Sequence, residues 1–441
     1  MKTISGSGSP SGLAIFGSRQ NGVLVSEATV PAVTPVQSGR IYAEIGASAD
    51  IGLAIANPSA TAAKITFYFT DQAGASSASA STTIPANGQL AAFLDQPPFN
   101  ARSPFMGTFS FTSDTPIAAV ALRGHRNERS DLLWTTLPVL PLTNPYGPQI
   151  FPTFADGGGW TTQFILVNTT DSVLNGTLQF FAQGSLGPFP PPALTVTVDG
   201  QTGSSFNYSI PARSSSKLTT SGSSTIPLAG SVRIVPDSRS FGAPVGVAIF
   251  SETNAGGVTI SEAGVPVSSN TQQAVLYAET SDDASHVQTG LAIASTSSTP
   301  TTVALELTTL AGGPPARTAS VTVPANGQIQ MYLNEIPGFE NLKSFQGVLT
   351  VSGRQSAVSV VGLRSRYNER GDYLVTTIPV RSTSDYSYGN SAALLFPHFA
   401  DGGGYTTQFI LFDASTGTGQ TAVGNLLFFT QAGQPLNLTL R

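Results

Sequence analysis

Cysteine is absent from this 441-residue chain, which excludes disulfides, thiolate metal ligands and cysteine nucleophiles. Charge is also scarce: charged residues make up 10% of the chain and the formal net charge is −5. Since the chain has no basic run, we expect no nucleic-acid partner. Apolar runs stay below the ~18 residues that cross a bilayer, which predicts no membrane span. The opening MKTISGSGSP has no apolar core and does not resemble a signal peptide.

What the chain has in abundance is short strand-like runs between turn residues. It holds 45 Gly and 31 Pro, and runs such as KITFYFTD, TQFILVN and VGVAIFSE are rich in β-branched and aromatic residues. Short runs of this kind at turn-bounded spacing are typical of β-sandwiches. The two segments GQLAAFLDQ and GQIQMYLNE look briefly helical, but each follows a turn and we predict a strand. The sequence therefore predicts an all-β fold of tandem immunoglobulin-like β-sandwich modules.

Self-comparison shows a long internal repeat, the feature that most constrains the fold. Tyr42 returns as Tyr277 and Phe151 returns as Phe396, shifts of 235 and 245 residues. Between these anchors, two module types alternate, which we call A and B. The second B module is divided between the two ends of the chain: FPHFADGGGYTTQFILF stands near the carboxyl end, and its ending, GLAIFGSRQNGVLVSEATVP, stands near the amino end.

The predicted domains follow from this alternation. In chain order they are the carboxyl-terminal half of a split B sandwich (1–33), an A sandwich (37–142), a complete B sandwich (148–268), a second A sandwich (272–382) and the amino-terminal half of the split B sandwich (393–441). The split copy is roughly 39 residues shorter than the complete one. The segment without a counterpart is roughly 199–230.

The most polar motif is R-x-x-x-N-E-R-x-D, which occurs once in each A module. A carboxylate pair there would suit acid–base chemistry, and its arginines would suit an anion or a sugar. We favour a structural polar cluster that ties a hairpin loop by arginine–carboxylate pairs. Its members are Arg123, Asn127, Glu128, Arg129 and Asp131, and then Arg364, Asn368, Glu369, Arg370 and Asp372. Glu27 and Glu262 share one position in the B modules, and we expect each to be buried against a module arginine.

The other motifs are better explained by a structural role than by a catalytic or ligand-binding role. Arg370-Gly371-Asp372 is an RGD tripeptide, which we interpret as accidental because the first copy reads Arg129-Ser130-Asp131. The DGGG runs at 156–159 and 401–404 predict tight turns with positive φ. The three histidines, His125, His286 and His398, do not repeat as a ligand set. We therefore predict no catalytic, cofactor-binding or metal-binding residues, and no cofactor.

Four asparagines fit the N-x-S/T pattern of N-glycosylation: Asn168, Asn175, Asn207 and Asn437. Asn57 does not qualify, because proline follows it. Sugars linked to serine or threonine remain an open alternative.

Several phrases carry a family resemblance over nearly the whole chain. FADGGGWTTQFILVN, SIPARSSSKLTTSG, GVAIFSETNAGGVTISEAGVP, VPANGQIQMYLNEIPGF and RYNERGDYLVTTIPV resemble the tandem modules of large secreted bacterial surface proteins, above all those of Acidobacteria-like soil and water organisms. The resemblance implies an extracellular or cell-surface repeat protein and transfers no catalytic residues. The chain departs from that pattern in the position at which its repeat is cut, since proteins of the family carry uncut B modules.

The split B module suggests a function. We expect a non-enzymatic structural subunit of an extracellular bacterial fibre, in which 393–441 of one copy completes 1–33 of the next, so that the partner is the protein itself. A second version makes the chain one segment of a longer repeat protein. The alternatives are an adhesin or carbohydrate-binding array that stacks Trp134, Trp160 and Tyr405 on surface glycans, and a non-catalytic accessory region of a secreted enzyme.

Overall fold

The fold was analysed in a computed structural model. It describes residues 2–3, 11–143, 145, 147–187, 191–240, 242–353, 356–382, 393–412 and 424–440. The regular secondary structure of these residues is β-strand, apart from one short 3-10 turn at Leu333–Glu335. The all-β prediction is therefore confirmed. In the described part of the chain, no helix is long and apolar enough to cross a bilayer.

The amino-terminal segment and the first A module, A1, contain ten strands. The segment holds β1 (Lys2–Thr3), β2 (Ser11–Gln20) and β3 (Val23–Pro31). A1 holds β4 (Val36–Ile45), β5 (Ala49–Ala56), β6 (Ala63–Asp71), β7 (Ala80–Ile84), β8 (Gln89–Phe93), β9 (Phe105–Arg126) and β10 (Leu132–Leu137). The long strand β9 serves two sheets, because residues 105–113 pair with β4 and β6 while its later residues pair with β5 and β10.

The complete B module, B1, contains ten strands. They are β11 (Gln149–Asp156), β12 (Trp160–Val167), β13 (Leu174–Phe181), β14 (Val196–Val198), β15 (Gln201–Gly203), β16 (Ser205–Ile210), β17 (Ser215–Thr219), β18 (Leu228–Pro236), β19 (Val245–Thr253) and β20 (Thr259–Pro266).

The second A module, A2, and the carboxyl-terminal segment complete the chain. A2 holds β21 (Gln273–Thr280), β22 (Gln288–Ser295), β23 (Thr301–Thr309), β24 (Arg317–Val323), β25 (Gln328–Tyr332), β26 (Phe345–Ser352), β27 (Val358–Tyr367), β28 (Tyr373–Ile378) and β29 (Arg381–Ser382). The last segment holds β30 (Tyr405–Phe412), β31 (Gly424–Asn425), β32 (Phe428–Phe429) and β33 (Pro435–Leu436). Within these two segments, Gln89–Phe93 and Gln328–Tyr332 form strands β8 and β25, as expected, while Leu333–Glu335 at the end of the second form the 3-10 turn.

A and B modules share one topology. Each complete module is a sandwich of two packed sheets, and in A1 the two are connected into one through β9 and a β4–β5 pair. The strand orders are β7-β6-β9-β4 and β8-β5-β9-β10 in A1, β16-β13-β18-β11 and β17-β12-β19-β20 in B1, and β24-β23-β26-β21 and β25-β22-β27-β28 in A2. We call the second sheet of each pair the ring sheet and the first the flanking sheet. This order differs from the ABED and CFG sheets of constant-type immunoglobulin domains. The two module types are thus variants of one eight-position sandwich.

The split B module, B2, is assembled from the two ends of the same chain. Strand β30 pairs with β2 and β2 pairs with β3, which gives the ring sheet order β3-β2-β30. Eight residue pairs join β2 to β30, from Ser11↔Phe412 to Ser18↔Tyr405. The same eight pairs join β19 to β12 in B1, from Val245↔Val167 to Glu252↔Trp160. The position of β17 has no strand in B2 among the residues that the structure describes.

The four modules close into a ring because each ring sheet is buried on both faces. One face of the B1 ring sheet joins the A1 core through Ile165 and Val247. Val361 of A2 joins the B1 core in the same way. Leu13 of B2 joins the A2 core, and Val120 of A1 joins the B2 core. Sheets covered on both sides need apolar residues at consecutive positions, which explains runs such as GLAIF and VGVAIF.

Candidate functional site

The ring axis is built from the last strand of each module, and we call β3, β10, β20 and β28 the central strands. They bond to one another mainly through hydroxyl groups. The Thr136 hydroxyl donates to the Thr29 carbonyl at 3.0 Å, and the Thr377 hydroxyl donates to the Gly264 carbonyl at 2.8 Å. Gly264 is required for this approach, since a Cβ there would lie 2.6 Å from the Thr136 carbonyl oxygen. Short hydroxyl side chains thus let four strands meet at one axis.

A buried ion cluster lies beside the axis in each half of the ring. Glu262 bonds Arg123 and lies 3.0 Å from His125 Nδ1, while Arg123 also lies 3.3 Å from Glu44. The side chains of Arg123 and Glu262 are 4% and 1% exposed. Burial favours the neutral acid, but Arg123 and then His125 outweigh it and hold the pKa of Glu262 below its usual range. This cluster joins A1 to B1 through a charged pair shielded from water.

The second half of the ring repeats the cluster with one exchange. Glu27 bonds Arg364 and lies 3.3 Å from Arg366, while Arg364 lies 3.0 Å from Glu279. Arg366 stands at the position of His125, so the histidine belongs to an ion cluster. The expected pairing of Glu27 and Glu262 with module arginines is present in both halves.

The R-x-x-x-N-E-R-x-D loops close one end of the axis. In A1 the Asn127 side-chain oxygen accepts from the backbone of Arg129 and Asp131, at 2.9 Å each, and its amide donates to the Thr259 carbonyl of B1 at 2.8 Å. Glu128 accepts from the Thr259 backbone N–H at 2.7 Å. Each asparagine therefore shapes its own loop, and with its glutamate it fastens the next module.

The A2 loop makes the same bonds to B2. Asn368 accepts from the backbone of Arg370 and Asp372 and donates to the Leu24 carbonyl. Glu369 accepts from the Leu24 N–H at 2.8 Å and pairs with Arg19. The motif thus has the same fastening contacts in both halves of the ring.

The two loops also exchange ion pairs across the axis, and these involve the RGD tripeptide. Arg129 pairs with Asp372 at 2.8 Å, and Arg370 pairs with Asp131 at 2.6 Å. Both charged residues of Arg370-Gly371-Asp372 are therefore engaged within the ring. This geometry supports the structural interpretation of the tripeptide.

The opposite end of the axis holds a cavity of about 370 Å³. The four central strands finish there, and their prolines share its wall: Pro31, Pro138, Pro266 and Pro379. Arg381 also lines it and donates to the Ala32 carbonyl at 2.7 Å. The wall is mostly aliphatic, so this end of the axis offers few polar or charged groups to a ligand.

A second cavity, of about 290 Å³, lies between B1 and A2. Aromatic and aliphatic side chains from both modules form most of its wall: Phe154, Trp160, Phe250, Leu291, Met331, Tyr332, Leu363, Tyr373 and Val375. Thr153, Gln330, Glu335 and Ser365 add polar groups. Thr153 donates to Gln330 at 2.9 Å across the joint. Exposed Pro227 and Glu335 lie at its rim, so the cavity reaches solvent.

Next to this joint lies Glu252, whose carboxylate is largely buried, which disfavours its charged form. Glu252 lies opposite Trp160 in the β12–β19 pairing. One of its carboxylate oxygens is buried without a hydrogen-bond partner among the described residues. Burial, with a smaller contribution from Asp372, raises the pKa of Glu252 to about 7.

The three aromatic residues proposed as a sugar platform do not lie on one open sheet face. Trp134 is half-buried and stacks on Phe93, with ring centroids 6.0 Å apart. Trp160 lines the B1–A2 cavity. Tyr405 is half-buried at the edge of the split sheet. Trp134 and Trp160 therefore lie at inter-module joints, and Tyr405 lies within the split B module.

The glycine runs form turns, as predicted. Gly157, Gly158 and Gly159 have φ values of 82°, 60° and 96°, and Gly402 to Gly404 repeat this geometry. In B1 a Cβ on Gly158 would lie 2.6 Å from the Pro227 ring. The run therefore serves a turn packed under Pro227.

The glycosylation candidates divide into one buried and three exposed residues. Asn175, Asn207 and Asn437 are exposed. Asn168 is wrong as a candidate, because it is 0% exposed and its amide donates to the carbonyls of Ser172, Ile210 and Pro211. A sugar on that nitrogen would break the turn that Asn168 holds. The residue shaping the matching A1 turn is Asn57, which bonds three carbonyls in the same manner.

The remaining histidines are separate from one another. His398 bonds Gln89 at 2.8 Å and packs edge-on to Phe16, and burial lowers the pKa of His398. His286 occupies a turn with a φ of 43°. Within the described ranges, no group of three or more His, Cys, Asp or Glu residues could hold a metal ion.

Sequence reasoning missed the B1–A2 cavity. Its signal was available in the aligned repeats, since SDLLWTTLPV in A1 becomes GDYLVTTIPV in A2 and exchanges Trp134 for Val375. Comparison with known proteins adds no identity: no family model, no curated protein and no solved structure matches this chain.

Proposed function

We propose that this protein is a non-catalytic structural subunit of an extracellular bacterial fibre, whose copies join head to tail by exchanging the strand pair that closes the ring. The observation that supports the proposal is the pairing of β2 with β30. It repeats the register of the uncut β12–β19 pair, so the two terminal strands match each other residue by residue.

The same contact serves equally well within one chain or between two. Exchange of an identical element between copies loses no contact, and a head-to-tail exchange that does not close gives an open fibre. The protein concentration then determines whether the strand pair forms within one chain, which gives a closed ring, or between chains, which gives a polymer. The extracellular location rests on the resemblance to secreted surface repeats and on the low charge content.

The polar groups of the A modules support a structural role. The carboxylates of Glu128, Glu262 and Glu369 each accept bonds from a neighbouring module. Arg129 and Arg370 are paired across the axis. These charges fix modules relative to one another, which is what a fibre subunit needs.

Paired cysteines provide the test, because the natural chain has none. The split pair is Ile15→Cys with Gln408→Cys, which face each other in β2 and β30. The matched control is Ile249→Cys with Gln163→Cys in the uncut B1 sheet. Facing residues of antiparallel strands lie about 4.5–5.5 Å apart, within reach of a disulfide.

After oxidation of concentrated protein, we expect the split pair to give a ladder of covalent oligomers on a non-reducing gel. The control pair should give a linked monomer, since both of its cysteines lie in one uncut module. Electron microscopy of the same sample should show unbranched fibres for the split pair. A linked monomer from the split pair at every concentration would overturn the fibre and leave a closed ring.

A further inference from the structure

The B1–A2 cavity has a counterpart in the ring, which shows what shape fits it. At the joint between B2 and A1, the Trp134 indole stacks on the Phe93 ring with an interplanar angle of 19°. Trp134 lies opposite Gly124 in the pairing of β10 with β9. A Cβ on Gly124 would lie 3.2 Å from the indole, so the glycine leaves space for that ring.

At the B1–A2 joint the same positions hold different residues. Tyr332 replaces Phe93, because Tyr332 faces Gly290 just as Phe93 faces Gly52. Val375 replaces Trp134 and lies opposite Ser365. The aromatic wall is therefore kept while the indole that covers it is lost. All of Gly290, Tyr332, Ser365 and Val375 line the cavity.

The surrounding walls fit a flat ring. Trp160 and Phe154 of B1 face the cavity together with Tyr332 and Tyr373 of A2. The hydroxyls of Tyr332 and Tyr373 bond each other, which holds the two rings in place. Aromatic rings prefer offset stacking or edge contacts with neighbours of their own kind. The cavity volume of about 290 Å³ exceeds the ~150 Å³ at which an apolar cavity holds benzene.

The cavity also offers hydrogen-bond acceptors. Glu335 stands at its rim, where its carboxylate accepts from the Tyr332 backbone N–H at 2.8 Å. Gln330 and Ser365 add further polar atoms. By contrast, the Nε1–H of Trp134 is buried at its own joint without a partner among the described residues. A free ring with an N–H donor would find at the B1–A2 joint the acceptors that Trp134 lacks.

We propose that the cavity between B1 and A2 is a binding site for a small planar aromatic molecule of indole size, which stacks on Tyr332 in the place that Trp134 occupies at the opposite joint. The site is independent of the proposed fibre, because it needs neither β2 nor β30.

The test uses indole as the probe, with calorimetry and thermal unfolding as readouts. The natural chain should bind one equivalent and gain thermal stability on binding. Val375→Trp copies the A1 residue into the cavity, and binding should weaken at least tenfold. Trp134→Val is the reciprocal control: it should lower the unfolding temperature, bind a second equivalent and regain stability with indole.

A second variant keeps the proposal testable if Val375→Trp does not fold. Tyr332→Ala removes the stacking wall, and we expect at least tenfold weaker binding by a chain that remains folded. The proposal is overturned if the natural chain shows no binding at millimolar indole, or if folded Val375→Trp binds as well as the natural chain. Equal binding of a non-aromatic ring such as cyclohexanol would also overturn it, by showing that aromatic stacking plays no part.

Discussion

The two halves of the ring, A1 with B1 and A2 with B2, share one topology and differ, among the residues that the structure describes, at the position of the edge strand β17. In the first half, β17 supplies Lys217, whose ammonium lies 2.8 Å from Glu44. In the second half, where that position has no strand among the described residues, Glu279 accepts instead from the Gln346 amide at 3.2 Å.

The second half thus replaces the lysine contact of B1 with a contact from a residue of A2 itself. Gln346 occupies the place of Met106, so a methionine in one half becomes an amide in the other, where the lysine is missing. Glu279 also accepts from Arg364 at 3.0 Å, so the Gln346 amide is its second donor, as Lys217 is the second donor of Glu44 beside Arg123. A2 therefore carries a substitution that supplies this second donor from within its own module.

The largest difference between the halves should appear when the axis carboxylates are removed. Glu262→Ala leaves Arg123 buried and without its main partner, and loss of one member of a buried pair costs about 3–5 kcal/mol. Glu27→Ala also leaves a buried arginine, Arg364, but should cost less, roughly 1–3 kcal/mol, because the Glu27 side chain is 9% exposed against 1% for Glu262 and water reaches its site more easily. Urea unfolding of both variants measures the difference.

Matched amide variants are the control for this comparison. Glu262→Gln and Glu27→Gln keep an acceptor for the arginine while removing the charge, so each should cost less than the alanine change at the same position. Equal losses for Glu262→Ala and Glu27→Ala would show that the two clusters are equally sealed from water.

A smaller difference should depend on pH. Glu252 in B1 has a pKa of about 7, and B2 has Ser18 at the same position. A raised folded-state pKa means that the unfolded chain gives up the proton more readily. The stability due to protonated Glu252 is therefore full below about pH 4.5 and is lost as pH rises through 7.

Glu252→Gln should abolish this loss. We expect the variant to equal the natural chain at pH 4 and to exceed it by about 1–3 kcal/mol at pH 8, after discounting for the partial exposure of the group. Ser18→Gln is the matched control and should leave the pH profile unchanged. A natural chain whose stability rises from pH 5 to pH 8 relative to Glu252→Gln would contradict the assignment.

Local patterns predicted the strands, the long repeat and the meeting of Glu27 and Glu262 with arginines, because these depend on alternation, turn residues and spacing. The shared topology of A and B was missed, since Asn57 and Asn168 hold equivalent turns within dissimilar sequences. Asn168 fits the sequon pattern although it is buried, because a sequon carries no information on burial. The B1–A2 cavity is lined by both Trp160 and Tyr332, which lie far apart in the sequence.

The smallest effect should come from the ion pairs that cross between the halves. Arg129–Asp372 and Arg370–Asp131 have arginine side chains that are 32% exposed, so each pair should contribute about 0.2–1 kcal/mol. Double-mutant cycles with Arg129→Ala and Asp372→Ala, and with Arg370→Ala and Asp131→Ala, measure both couplings.

The coupling between Arg370 and Asp131 should be slightly larger, because Asp131 is 7% exposed and Asp372 is 12% exposed. Both should shrink in 1 M salt, where screening acts over ~3 Å. Couplings above about 2 kcal/mol that ignore salt would mean that the loops seal the axis from water, and the two halves would then act as one body instead of two fastened parts.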